Sequence, residues 1–185
     1  MASGINTTLP HYFCQGRGSL LQENELIQLD IWGKKSQTDA IYADISWVGF
    51  LAPKAPPSIV DVFKTVIAAR DQAVSFIKTR LMANKTITGA EVDQEVTDYF
   101  LKAGMDKFIK HRSGHAIDYE VHGWGVNLDS KEFPDWRPLK EGACFSLEPG
   151  LYLNDFGMRT EINIYIKNNE PVISGGEPQR DLLLL

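Results

Sequence analysis

The sequence has few of the features that mark membrane-spanning, secreted or nucleic-acid-binding proteins. Among 185 residues there are two cysteines, Cys14 and Cys144, and their wide separation does not resemble a disulfide framework. No segment approaches the roughly 20 continuous apolar residues of a membrane span. The first residues have no basic region followed by an apolar run, so no signal peptide is predicted. The sequence therefore predicts a cytoplasmic protein.

Neither positive nor negative charge dominates the sequence, and charged residues do not cluster in one region. The net charge is −5, and the lysines and arginines are scattered along the chain. Nucleic acid and acidic membrane surfaces are therefore excluded as partners. With 43% hydrophobic and 23% charged residues, the composition is that of an ordinary globular protein. The length predicts one domain over residues 1–185 with its own core.

Histidine is scarce, but three of the four histidines lie within twelve residues, at His111, His115 and His122. Histidine is the commonest metal ligand and the side chain most easily tuned for proton transfer near neutral pH. The cluster indicates either a functional site or a histidine-rich surface loop. Candidate metal-binding carboxylates elsewhere in the chain are needed to distinguish the two. The fourth, His11, taken alone is an ordinary loop residue.

Two apolar segments, residues 25–32 and 40–50, alternate as strands do and are predicted to form an antiparallel hairpin. Each contains one carboxylate, Asp30 or Asp44. Taken singly, either is expected at a strand end or facing solvent. Buried on adjacent strands, the two would repel each other unless a cation lay between them. As a pair they are therefore candidate metal ligands.

Helical spacing of apolar residues predicts two helices after the hairpin. The first begins at Ser58, with Asp61 in a position that resembles a capping box. The second begins at Thr88, with Glu91 completing a capping box, and ends near Gly104. Both are expected to cover a core without taking part in chemistry.

The remaining strands are predicted to carry the other polar candidates. A strand over residues 108–117 would place His111 and His115 on one face. A strand over 143–153 has Glu148 at its apolar end. Residues 158–167 alternate, with Glu161 and Arg159 on one face; for that strand alone, a surface ion pair is the alternative interpretation.

The inventory is therefore two aspartates, one histidine of the cluster and two glutamates. Carboxylates with an imidazole suit divalent ions such as Mn²⁺, Co²⁺, Fe²⁺ or Zn²⁺. Two such ions about 3.5–4 Å apart can polarise a carbonyl and activate a shared water. The sequence predicts a centre with two divalent ions.

The ordered motifs resemble those of the pita-bread metallopeptidases, which include methionine aminopeptidases, aminopeptidase P, prolidase and creatinase. The matching segments are Asp30, Asp44, Gly114-His115, Ser146-Leu-Glu-Pro-Gly-Leu-Tyr152 and Arg159-Thr-Glu161. The resemblance implies an α+β fold, a curved and mostly antiparallel sheet covered by helices. The metal ligands that it implies are Asp30, Asp44, His115, Glu148 and Glu161.

The resemblance also implies roles for the other polar residues. Glu148 would move a proton from water to the leaving nitrogen. His122 and His11 would stabilise the tetrahedral intermediate, and His111 and Arg159 would bind substrate. Glu148-Pro-Gly-Leu-Tyr152 followed by Arg159 resembles the Xaa-Pro enzymes. The implied reaction is hydrolysis of Xaa-Pro bonds in peptides with proline second, using two ions, with manganese expected and cobalt, zinc or iron as alternatives.

Some positions depart from the family pattern. Ala116 and Asp118 stand where the family often has glycine, and Trp47 stands where arginine is common. The leading helices of the family's catalytic domain are absent, so a truncated domain is expected. Apolar surface that those helices cover would be exposed, which predicts self-association. The alternative functions are a non-catalytic binding module of the same fold and, less favoured because it leaves the ligands unexplained, a creatinase-type hydrolase.

Overall fold

The computed structural model describes residues 1–14 and 16–185. It contains nine strands among these residues, together with two α-helices and two short 3-10 helices. In chain order the elements are β1 (Ala2–Ser3), a 3-10 helix (Gly4–Thr8), β2 (Leu26–Gly33), β3 (Ala43–Phe50), α1 (Pro57–Met82), α2 (Gly89–Lys102), a 3-10 helix (Asp106–Phe108), β4 (Cys144–Leu147), β5 (Gly150–Tyr152), β6 (Gly157–Arg159), β7 (Ile162–Lys167), β8 (Glu170–Ser174) and β9 (Leu183–Leu184).

The strands form three small sheets. A four-stranded sheet has the order β1-β2-β3-β9, a three-stranded sheet the order β4-β7-β8, and β5 and β6 form a hairpin. All pairs are antiparallel except β3 with β9. A bridge between Ser46 and Glu161 links the first sheet to the second. The expectation of an α+β architecture with mostly antiparallel strands is confirmed.

The predicted β2–β3 hairpin is present, and its register places both aspartates on one face. Asp30 lies opposite Ser46, and Trp32 lies opposite Asp44. Since paired residues point to the same side of a sheet and every second residue along a strand does too, Asp30, Asp44 and Ser46 share that face. The outer face carries apolar residues instead, with Ile31 50% exposed.

The two helices cover the core side of the strands. The apolar face of α1 packs against α2 and β8, and its central residues are completely buried. Burial of one large apolar side chain stabilises a fold by about 1.5–3 kcal/mol, so this layer fixes the strands behind the polar face. Core residues without exposed surface include Val66, Ala69, Ala73, Ile77, Val92, Phe145, Leu147 and Ile164.

The prediction of a strand over residues 108–117 is wrong. This segment is irregular and pairs only through single bridges, Gly114 with Leu128 and Ala116 with Phe145. The reason is that side chains accept from its backbone donors: the His115 N–H donates to Ser146 Oγ and the Ala116 N–H donates to Asn127 Oδ1. Side-chain acceptors of this kind compete with a regular strand ladder.

Two further expectations about helix and strand ends need correction. The capping box at Ser58 is absent, because α1 starts at Pro57 with Pro56 as its N-cap and no side-chain cap bond. Proline suits a first helical position, since the N–H that it lacks would have no helical acceptor. The N-terminal segment, where a high content of Gly, Ser, Asn and Thr predicts a loop, contains β1 and a 3-10 helix, which are too short to show periodicity. No helix of the described residues is long and apolar enough to cross a membrane.

The capping box of α2 is present and gives a test of local stability. Thr88 Oγ1 accepts from the Glu91 N–H at 3.3 Å, and the Glu91 carboxylate accepts from the Thr88 N–H at 2.8 Å. We predict that Thr88→Ala lowers the free energy of unfolding by about 1 kcal/mol, measured by urea denaturation. Thr79→Ala, at an exposed position in the last turn of α1, is the control, and an equal loss there would contradict the capping role.

Candidate active site

Three side chains that are distant in sequence come together at the junction of the two larger sheets. The ligand atoms of Asp44, His115 and Glu161 lie within 4.8 Å of one another, and all three residues are buried. His115 Nε2 is 3.6 Å from Asp44 Oδ2 and 3.5 Å from Glu148 Oε1. Three carboxylates therefore surround one imidazole nitrogen.

Backbone and hydroxyl contacts hold His115 in this position. Its N–H donates to Ser146 Oγ at 3.0 Å, and its carbonyl accepts from the Ser146 N–H at 2.8 Å. Its Nδ1 lies 3.0 Å from the Ala116 carbonyl, which can only accept, so Nδ1 carries the proton of the neutral ring. The lone pair of Nε2 is then directed toward the carboxylates, as a metal ligand requires.

The two glutamates are positioned where regular strand pairing stops. Glu148 follows β4, where its N–H donates to the Ser113 carbonyl at 2.8 Å. Glu161 lies between β6 and β7, and its N–H donates to the Ser46 carbonyl at 3.1 Å. Ser146 donates to Glu148 Oε1 at 3.2 Å, and Ser46 donates to Glu161 Oε2 at 2.8 Å.

Two oxygens of this cluster are left without partners. Asp44 Oδ1 and Glu161 Oε1 are buried and form no hydrogen bond with the described residues, where Arg80 Nε is the one other such side-chain atom. A buried, unpaired polar group costs free energy, and a buried charge costs more. A divalent cation would offset that cost, and carboxylate oxygens with one imidazole suit it. The residues present therefore fit a metal ion.

The surroundings of the two glutamates shift their pKa values in opposite directions. Burial raises the pKa of Glu161 well above its ordinary value, and the negative charges of Glu148 and Asp44 raise it further. Burial alone would also raise the pKa of Glu148, but the positive charges of His111, Arg159 and His115 outweigh it and lower that pKa. Glu148 is thereby the carboxylate of the pair that stays ionised.

Asp30 lies outside the cluster and is paired with Arg159. Arg159 Nη2 is 2.5 Å from Asp30 Oδ2, and its Nε is 3.6 Å from Glu148 Oε2. Arg159 is 3% exposed, so the guanidinium is a buried cation in the middle of the carboxylates. It also donates to the Pro10 carbonyl at 3.0 Å and to the Tyr152 hydroxyl at 3.3 Å. The side of this segment that carries Arg159 and Glu161 is therefore buried. The alternative interpretation, a solvated ion pair at the surface, is wrong.

The other histidines lie on two sides of the cluster. The His122 ring packs edge-on against His115, with centroids 4.3 Å apart and planes at 71°. His111 Nε2 is 2.8 Å from the Tyr152 hydroxyl, and its ring centroid is 6.5 Å from that of His11. His11 and His122 are exposed, whereas His111 is partly buried. The chain thus brings the other three histidines to the margin of the polar site that contains His115.

Sequence reasoning missed the two serines that orient the glutamates. Ser46 and Ser146 are completely buried, and each lies two residues from a predicted ligand, Asp44 or Glu148. For Ser46 the strand period of two was the available signal, because it puts Ser46 on the face of Asp44. Nothing in the spacing showed which partners the hydroxyls would have.

A third missed residue, Asp93, acts from helix α2. Its Oδ1 accepts from the N–H and the hydroxyl of Ser113, and its Oδ2 accepts from both groups of Ser130. Ser113 in turn provides the carbonyl that receives the Glu148 N–H. A helix predicted to have no part in the chemistry therefore anchors the irregular segment that carries His115.

Comparison with known proteins assigns this arrangement to a family. The model of metallopeptidase family M24 matches residues 1–168. The chain belongs to metallopeptidase family M24. It is similar to the Xaa-Pro dipeptidase of Pyrococcus horikoshii, with 25% identity over 170 residues, which are 91% of this chain and 44% of that protein. It is also similar to the Xaa-Pro dipeptidase of Lactobacillus helveticus, with 38% identity over 80 residues, 43% of this chain and 21% of that one.

Solved structures confirm the expected pita-bread fold. The chain is similar to the X-Pro aminopeptidase of Thermotoga maritima, with a TM-score of 0.83 and 25% identity over 100% of this chain and 48% of that one. A dipeptidase from Mycobacterium ulcerans gives a TM-score of 0.83 at 24% identity, over 98% of this chain and 45% of that one. The M24 chain described here thus spans less than half the length of these relatives.

The hydroxyl of Ser46 provides a test of how the cluster is oriented. We predict that Ser46→Ala weakens Mn²⁺ binding by about 10- to 100-fold, because Glu161 loses the donor that orients it. Ser46→Thr, which keeps a hydroxyl, should retain most of the affinity. Calorimetric titration of the metal-free protein measures both, with the exposed Ser174→Ala as control. Unchanged affinity in Ser46→Ala would contradict the orienting role.

Proposed function

We propose that the protein is a metal-dependent peptidase that hydrolyses Xaa-Pro bonds near the N-terminus of peptides. One observation carries the proposal: the buried cluster of Asp44, His115 and Glu161, with two partnerless carboxylate oxygens, in a chain of family M24. The names of its relatives, Xaa-Pro dipeptidase and X-Pro aminopeptidase, support the substrate class.

Asp44, His115 and Glu161 would hold the metal together with Glu148, which lies 3.5 Å from His115 Nε2, and with Asp30. Divalent ions bound there would polarise the peptide carbonyl as Lewis acids. They would also lower the pKa of water, so that a nucleophile is available at neutral pH. Manganese is the expected metal, with cobalt, zinc and iron as alternatives. For Asp30 to act as a ligand, it must exchange its ion pair with Arg159, at 2.5 Å, for the metal.

Glu148 is the proton carrier in this proposal. The surrounding positive charges lower its pKa, so it is ionised and able to accept a proton from water. The bond that breaks joins a carbonyl carbon to a proline nitrogen, which leaves as a secondary amine and therefore needs a proton. Glu148 would deliver it, while the Ser146 hydroxyl, 3.2 Å from Oε1, keeps the carboxylate in place.

The remaining site residues would bind substrate and stabilise the developing negative charge. His122 lies against His115, and His11 lies on the side of His111, so each can present a ring N–H to the site. Donors placed where charge develops stabilise the transition state more than the substrate. His111, fixed by Tyr152, and the buried Arg159 would orient the peptide.

A specific observation favours a second candidate, a non-catalytic binding module of the same fold. The Arg159 guanidinium already pairs with Asp30 and lies near Glu148, so part of the ligand set is neutralised without a metal. The chain also spans less than half the length of its relatives, and their activity belongs to those longer proteins.

Metal content and hydrolysis, measured on the same sample, separate the two candidates. We expect the purified protein, loaded with Mn²⁺, to bind the ion and to release proline from an Xaa-Pro dipeptide or the first residue of an Xaa-Pro tripeptide. Removal of the metal by a chelator should abolish the release, and Mn²⁺ should restore it. Bound metal without turnover would favour the binding module, and no bound metal would contradict the ligand assignment.

A substitution at Glu148 tests the proton carrier. Glu148→Ala should lower kcat for Xaa-Pro hydrolysis by about 10²- to 10⁴-fold, the usual contribution of general acid–base catalysis. The assay is proline release under saturating Mn²⁺. Glu177→Ala, at an exposed position, is the matched control. Retained activity in Glu148→Ala would rule out the proposed role.

The expectations of one domain over residues 1–185, a cytoplasmic location and self-association also stay predictions. The outer face of the β2–β3 hairpin is relevant to the last of them. Leu29, Ile31 and Ile45 are 38%, 50% and 38% exposed there. Contiguous apolar surface of this kind promotes association.

A further inference from the structure

We propose that Asp118 is a positioning residue that holds the loop of residues 118–124 and thereby places His122 beside His115. The inference rests on the proposed function for the role of His122. Asp118 Oδ1 accepts from the Glu120 N–H at 2.9 Å, and Oδ2 accepts from the Trp124 N–H at 2.8 Å. One carboxylate thus bridges the two ends of the loop that contains His122.

Gly123, in the same loop, leaves space for this carboxylate. A Cβ at Gly123 would lie 2.6 Å from both Cγ and Oδ2 of Asp118, closer than side-chain atoms approach each other. The Gly123 N–H meanwhile donates to the Ala116 carbonyl at 2.7 Å. The absence of a side chain at Gly123 therefore makes room for the carboxylate of Asp118, and the two positions fit each other.

The same loop is bound to the hairpin that carries Asp30 and Asp44. The Asp118 carbonyl accepts from the Tyr42 N–H at 2.9 Å, next to the start of β3. Lys34 Nζ, just beyond β2, donates to the Tyr119 carbonyl at 2.8 Å. The backbone that precedes His122 is therefore fixed relative to the metal-binding face.

His122 itself depends on this backbone for its position. Its ring is exposed and forms no hydrogen bond with the residues that the structure describes, and its close neighbour is the His115 ring at 4.3 Å. The backbone N–H donors of Glu120 and Trp124 hold the pKa of Asp118 below its ordinary value, so the bridging carboxylate stays ionised. A residue without a side-chain acceptor at position 118 could not form these bonds.

Hydrolysis in a double-mutant cycle tests the inference. Asp118→Ala should lower kcat/KM for an Xaa-Pro dipeptide by about threefold to tenfold, the net worth of a hydrogen bond, with Asp118→Asn in between because one acceptor oxygen remains. In the His122→Ala background, Asp118→Ala should cause no further loss. A loss of equal size in both backgrounds would overturn the inference. Asp155→Ala, at an exposed turn, is the control.

A second readout does not depend on hydrolysis. In Asp118→Ala the amide of Trp124 should exchange its hydrogen faster, and the NMR contact between the His115 and His122 rings should weaken, while Mn²⁺ affinity changes less than about twofold. An unchanged ring contact would overturn the positioning role. Absence of hydrolysis in the unmodified protein would contradict the proposed function alone, since the ring contact and amide exchange would still report on Asp118.

Discussion

Burial of several carboxylates around one imidazole is the constraint on which the rest of the structure depends. Asp44, Glu148 and Glu161 carry their carboxylates into a region almost without solvent, where burial and the negative charges of Glu148 and Asp44 raise the pKa of Glu161. The surrounding chain reduces the cost of this burial with a buried guanidinium, Arg159, and with hydroxyl donors. Two oxygens still lack partners, and they are the atoms best explained by a cation.

The site and the sheet junction are the same structural feature. Ser46 and Glu161 form the bridge between the first two sheets through the backbone, and they are joined again through their side chains. A shift of one sheet against the other would therefore move Glu161 relative to Asp44. The helical layer behind the strands resists such a shift because its apolar face is fully packed. In this way stability of the core contributes directly to the precision of the site.

The irregular segment between α2 and β4 shows how a non-repetitive chain can be made rigid. Asp93 receives four hydrogen bonds from two serines, and Asp118 receives two from the loop that carries His122. Both carboxylates satisfy backbone donors that a strand or helix would satisfy internally. Loops of this kind can hold functional residues in place because specific side chains restrict their conformational freedom. In a sheet, backbone hydrogen bonds between strands have that effect.

The sequence by itself determined the elements with strong local signals and the identities of the candidate ligands. Alternation predicted the β2–β3 hairpin, and the Thr88–Glu91 pair predicted the start of α2, since periodicity and capping depend on neighbours in the chain. Tertiary structure alone decided that residues 108–117 would not be a strand, that β9 would pair with β3, and that Arg159 would pair with Asp30 across 129 positions. Those outcomes depend on which distant groups meet after packing, and no local pattern encodes that.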